Sequence, residues 1–258
     1  MKPRMKSLQA NCADLARLLS SEDFFNNQIE NVSEWARVTD WLLVAGGIKN
    51  VELDREVLNE AGYQYCRPVF EFEEAQNEVQ AAMVKQLTIF SFLWGSLEST
   101  INIISPQQAP GRSGKINSAC YYIMQNLPAT LIFQLYPDFL RHLEKLIRTV
   151  HEYDDLVEHF NSQAHVDERG QGIYVIYKIR NRFAHGSLIL PSAGGDIKNN
   201  PDKMIIHTSS HIVVITIQML ISAFLQNSTF DVTFGTEEDE DVEALDIHYL
   251  LRTLHFEA

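Results

Sequence analysis

The stretch from Glu73 to Ile104 repeats apolar residues at helical spacing and contains no proline. A helix of that length needs other apolar faces along it, which sets the class of the whole chain. Similar periodicity recurs on both sides. Residues 6 to 20 carry Leu8, Leu15, Leu18 and Leu19. From Asp23 to Val44, Phe24, Phe25, Ile29, Trp35, Trp41 and Leu42 recur, with Ser33 as an interruption and Gly46-Gly47 as a stop. Asp54 to Ala61 is a short helix candidate, and Pro68 is a break. After a loop with Pro106, Pro110, Gly111 and Gly114 come a helix from Ile116 to Gln125 and a long one from Asp138 to Ala164. Arg169-Gly170-Gln171-Gly172 reads as a turn. Leu188 to Met204 reads as a loop, and Ser210 to Gln226 as a helix capped by Ser209 or Ser210. A short strand is expected within Phe230 to Phe234 and a last amphipathic helix from Val242 to Leu254. The expected class is all-α, with the softest boundary between residues 46 and 72.

Composition narrows the function. The 258 residues carry a formal charge of −13, which argues against a broad nucleic-acid-binding surface but not against a local basic site. Cys12, Cys66 and Cys120 lack paired spacing, so neither a disulfide framework nor a zinc site is supported. No apolar segment follows the charged first residues as in a signal peptide. The apolar run Ile212 to Leu225 is broken by Thr216, Gln218 and Ser222 and reads as too short to span a bilayer. A cytoplasmic, reduced protein is expected, with no membrane contact.

The chemistry gathers between Tyr174 and Gly186. At ~100° per residue, Tyr174, Lys178, Asn181, Arg182 and His185 share one stripe of a helix, while Val175, Ile176, Ile179 and Phe183 face away from it. Two cations, an amide and a histidine on one stripe suit an anion. Gly186 is a helix stop, which places His185 near a C-terminus, where the helix dipole favours a cation.

Arg180-Asn181-Arg182-Phe183-Ala184-His185 resembles the Arg-x4–6-His signature of HEPN domains, helical bundles that include many metal-independent ribonucleases. The asparagine directly after the arginine is the commonest form of it. Two flanking features are also similar: a long upstream helix with a polar residue in an apolar setting (Phe92 to Glu98), and a loop then an apolar helix (Ile212 to Leu225) downstream. The resemblance covers roughly residues 75 to 226. The resemblance implies a HEPN-type bundle, read here as a domain over residues 71–258 with an acidic C-terminal helix; residues 1–70, which it does not cover, are read as an N-terminal helical extension. It further implies a homodimer in which two motif helices face each other and form one composite site. There an RNA 2′-hydroxyl attacks the neighbouring phosphate and leaves a 2′,3′-cyclic phosphate, with no metal or cofactor. His185 serves as general base or acid and Arg180 stabilises charge on the phosphoryl oxygens. Asn181 orients the imidazole or touches phosphate. Lys178, Arg182 and Tyr174 contact RNA, and Glu98 supports the arginine. The contexts implied are toxin–antitoxin systems, phage defence or RNA processing, with an antitoxin or regulatory protein as a possible partner. Some toxin members carry a modifiable tyrosine two residues after the histidine; here that residue is Ser187.

Arg180 lies about 140° around an ideal helix from His185, so it must reach round or be supplied across the dimer. The alternatives are a non-catalytic HEPN-like module that binds RNA, nucleotide or protein, and a scaffold in which the trio is a polar network. Spacing also invites a metal at His207-x-x-x-His211, but Thr208-Ser209-Ser210 reads as a cap and no third ligand is evident. His142, His151, His159 and His165 read as surface histidines of the long helix.

Overall fold

Asn200 and Pro201 start the helix on which the molecule is assembled. The Asn200 side chain accepts the Lys203 amide at 2.9 Å, and Pro201 fills the first helical position, where its missing N–H costs nothing. In the computed structural model, which describes residues 4–27, 32–54, 67–131, 133–161, 164–186, 200–234 and 244–257, this helix runs Pro201–Phe224 and is buried on all sides from Thr208 to Ala223. Its polar residues are buried with it. Ser210 Oγ donates to the Ile206 carbonyl at 2.9 Å and Thr216 Oγ1 to that of Ile212 at 2.7 Å, so hydroxyls satisfied by the preceding turn can face a dry core. The expected cap at Ser209 or Ser210 therefore lies inside the helix, which begins within the stretch read as a loop.

Around it stand α1 (Leu8–Leu19), α2 (Glu22–Asn27), α3 (Val32–Gly47), α4 (Arg67–Ile104), α5 (Lys115–Asn126), α6 (Tyr136–Ile147), a 3-10 segment (His151–Phe160) and α7 (Glu168–Ala184). The central helix is α8, and α9 (Ile247–Thr253) closes the order. A two-stranded antiparallel ribbon, β1 (Asp231–Thr233) with β2 (Ala244–Asp246), pairs Val232 with Leu245. The chain is thus mostly helical. The expected strand is β1, and the first residues of the expected last helix form its partner. The expected helix at Asp54–Ala61, the acidic run 237–241 and Ser187 fall mostly or wholly outside the described residues.

Helices α1, α4, α5, α6, α7 and α9 all pack against α8, and α3 joins α1 to α4. Trp35 of α3 meets Phe24 edge-on at 5.4 Å and Phe224 of α8 at 6.1 Å, so one buried cluster runs from Leu8 to Leu254, across residue 70. Gly95 allows α3 to approach α4: an added Cβ would stand 3.0 Å from the Trp41 ring. Among the described residues, α4 from Phe70 and α8 are long and apolar enough to cross a membrane. The apolar window of α8 is, however, 89% buried by the protein's own elements.

The long helix expected over Asp138–Ala164 is two elements. Thr149 Oγ1 donates to the Leu146 carbonyl at 2.6 Å, Val150 is extended, and the chain restarts as the 3-10 segment. Tyr153 of that segment donates to Asp202 at 2.9 Å, an anchor on α8 that a continuous helix would have to reach differently.

Candidate functional site at the end of the motif helix

Helix α7 is held at its amino end by Asp167, whose carboxylate accepts the amides of Arg169 at 3.0 Å and Gly170 at 3.3 Å. The glycine pair read as a turn lies within the first turns of the helix. Gly170 faces the Cα and Cβ of Cys120, and Gly172 faces Ile212 and Tyr136, so both permit close packing. The helix ends as the sequence suggests: His185 is the C-cap, and Gly186 takes φ +70° with its amide on the Phe183 carbonyl at 3.1 Å.

The side chains divide into engaged and free. Arg182 donates to the Asp155 carboxylate and to the Glu152 carbonyl, and its guanidinium carbon lies 5.2 Å from the Tyr153 ring centroid. It fastens the 3-10 segment to α7. Tyr174 is also packed: His159 and His165 meet its ring edge-on at 5.7 and 6.0 Å. His165, read as a surface residue, is buried, with Nε2 3.1 Å from Asn117 Oδ1. Its pKa is lowered by burial and then by Arg112. Lys178 has its ammonium 5.5 Å from the Tyr174 centroid and 6.0 Å from that of Tyr177, with no carboxylate partner among the described residues.

Arg180, Asn181 and His185 differ from these. None has a side-chain hydrogen bond or ion pair among the described residues; Arg180 and Asn181 are half-buried and His185 is exposed. Arg180 lies between Tyr177 and Phe183 on the helix surface. Those two rings meet α4, Tyr177 stacking on Trp94 at 6.4 Å and Phe183 meeting Phe90 edge-on at 6.1 Å. Phe90 lies outside the stretch singled out in the sequence, and Trp94 lies inside it, in Phe92 to Glu98, with no role assigned.

Those two ring pairs fix the register. As α4 rises from Phe90 to Trp94, α7 descends from Phe183 to Tyr177, so the helices run antiparallel and Arg180 is level with about residue 92. Glu98 lies six residues beyond, about 9 Å along the axis. Its carboxylate accepts the Trp94 indole N–H at 2.7 Å, and no ion pair joins it to Arg180. Within one chain Glu98 therefore makes no direct contact of the expected kind with the arginine; it orients the indole on which Tyr177 stacks.

The histidines of α8 also differ from expectation. His207 and His211 lie one turn apart within a continuous helix, their rings perpendicular at 4.9 Å, and His211 stacks on Phe139 at 5.0 Å. Burial lowers the His207 pKa, helped by Lys203, and lowers that of His211 to about 3, helped by His207 and His255. No group of three or more metal-ligating side chains converges among the described residues.

What the arrangement offers is a half-buried guanidinium, an amide and a terminal imidazole with no internal partners, beside an ammonium held only by rings. In a chain of charge −13, that is a local surplus of hydrogen-bond donors suited to phosphate oxygens. No family model matches the chain, and no curated protein or solved structure matches it either.

Proposed function

We propose that the protein is a metal-independent endoribonuclease of HEPN type, working as a homodimer in the cytoplasm. The observation that carries this reading is the contrast along one helix: Arg182 is tied to Asp155, while Arg180, Asn181 and His185 have no partner among the described residues. A polar network built for stability would satisfy its own members, since an unpaired half-buried cation is costly.

In the proposed reaction the O2′–P bond forms and the P–O5′ bond breaks. One proton leaves the 2′-hydroxyl and one reaches the departing 5′-oxygen, giving a 2′,3′-cyclic phosphate and a 5′-hydroxyl. Two copies of His185, one from each protomer, would divide the two transfers, and Arg180 would meet the charge on the equatorial oxygens. The composite site answers the 140° separation, because the arginine of one protomer can serve the histidine of the other. RNA is required for the 2′-hydroxyl. Toxin–antitoxin, phage-defence or RNA-processing roles, with an antitoxin or regulatory partner, belong to the same proposal.

The same separation favours a second reading, a non-catalytic module that binds RNA, nucleotide or protein through these donors. Incubating the purified protein with labelled RNA in EDTA, beside Arg180→Ala and His185→Ala, separates the two. Cyclic-phosphate ends made by the wild type alone support the nuclease. Binding without cleavage across several RNAs supports the module, and equal cutting by all three sinks the assignment of the site.

A further inference from the structure

The amino end of α7, some 25 Å from His185 by helix rise, borders a cavity of about 360 Å³. Leu131, Phe133, Leu140, Phe160 and Met219 give it an apolar wall, and polar side chains of α6 and α7 edge it. That volume and mixture are typical of sites for small organic molecules.

The charge at its edge chooses the ligand. Helix amino ends attract anions, but here the amides of Arg169 and Gly170 already donate to Asp167. The Arg169 guanidinium is spent as well, on Asp167 and the carbonyls of Leu127 and Met124. Arg141 is paired with Asp138, and Glu144 with Arg148. The cavity is thus lined by two cations, Arg141 and Arg169, and two acids, Glu144 and Glu168, and of these four Glu168 alone is without a partner among the described residues; it is exposed. Beside it, Gln171 uses its amide N–H on the Phe160 carbonyl, which leaves its oxygen as an acceptor. An apolar wall with acceptors and one unpaired carboxylate at the mouth fits an amine.

We propose that this cavity binds a small amphipathic amine, with its hydrocarbon part against Leu140 and Met219 and its ammonium at Glu168. The site is independent of the motif at the other end of the helix.

The test is titration of the full chain with 2-phenylethylamine, 2-phenylethanol and 3-phenylpropionate, followed by amide chemical shifts in NMR. The expected outcome is saturable binding of the amine, with Kd on the order of 1 mM for so small a probe, and shifts centred on Leu131, Leu140 and Gln171. The alcohol should bind about tenfold more weakly and the carboxylate weaker still. Glu168→Gln, a surface change that leaves the fold intact, should bring amine and alcohol within about threefold of each other. No saturable binding of any probe overturns the proposal. So does equal affinity for amine and carboxylate, or an amine preference that survives Glu168→Gln.

Discussion

The phenol oxygen of Tyr136 accepts the amide N–H of Gly172 at 3.1 Å and donates its own proton to the Arg169 carbonyl at 2.7 Å. A side chain can stand between two backbone groups of a helix only where the helix carries none of its own. At Gly172 a Cβ would lie 2.6 Å from Ile212 Cγ2 and 2.7 Å from the Tyr136 oxygen. Gly172→Ala should therefore cost about 3 kcal/mol in urea unfolding, by displacing a core isoleucine and the phenol together. Gly47→Ala, at the exposed end of α3 with nothing within 4 Å, should instead gain about 0.5 kcal/mol. Equal effects at the two sites would refute the close-approach account of α7.

The two arginines of the motif should separate cleanly. Arg182→Ala removes a clasp between α7 and the 3-10 segment, at a site where the side chain is 26% exposed and its partner 62%. A loss of about 1 kcal/mol is expected, with RNA cleavage rates within about threefold of wild type. Arg180→Ala should leave the unfolding midpoint nearly unchanged and lower cleavage at least about a hundredfold. Reversal of that pattern would make Arg182 the phosphate ligand.

His185 is exposed at the helix end, so its replacement tests chemistry rather than packing. His185→Ala and His185→Gln should each lower EDTA-resistant cleavage by about 10² to 10⁴, with thermal midpoints within about 2 °C of wild type. Substantial activity in His185→Gln would point to hydrogen bonding instead of proton transfer.

Acid should destabilise the fold through two buried histidines, His211 on α8 and His255 beyond α9. His211 and His255 have pKa values lowered to about 3 and about 4, burial being the main cause in both. Each remains neutral in the folded chain where the unfolded chain would take up a proton. Their contribution is thus intact above the ordinary histidine pKa and declines as pH falls toward the folded values, by up to about 1.4 kcal/mol per pH unit for each group. Urea midpoints measured from pH 7 to pH 4.5 should fall, and His211→Phe, which keeps the stack on Phe139, should flatten the slope. An unchanged slope in the variant would exclude His211 as a source.

The helices legible in the sequence are those whose apolar period is uninterrupted or is stopped by glycine: α1, α3 up to Gly47, α5 and the body of α4. The start of α8 was also written there, as Asn200-Pro201, a cap followed by a first-turn proline, but it competed with Thr208-Ser209-Ser210. A helix stretch buried on every side can carry Ser210 and Thr216 at mid-length because the preceding carbonyls accept their hydroxyls. The break after Ile147 has no glycine or proline and depends on Tyr153 reaching Asp202, a tertiary contact with no local trace. At the site, the stripe of polar residues and the stop at Gly186 follow from spacing alone. Which of its members are free does not: Asp155 claims Arg182 from another element, and Trp94, one turn away on the same helix, claims Glu98.

Backbone bonds join the two ends of the described chain, Lys6 to His255 at 2.9 Å and Glu257 to Arg4 at 2.8 Å, around a bridge between Met5 and Phe256. During synthesis these partners emerge at opposite times. The segment that leads into the first helix, Arg4 to Lys6, must wait for its partners until His255 to Glu257 have been made. A chaperone that shelters the early helices, or a ribosome that pauses late, would therefore act on the yield of native protein more strongly than the stability of the finished fold suggests.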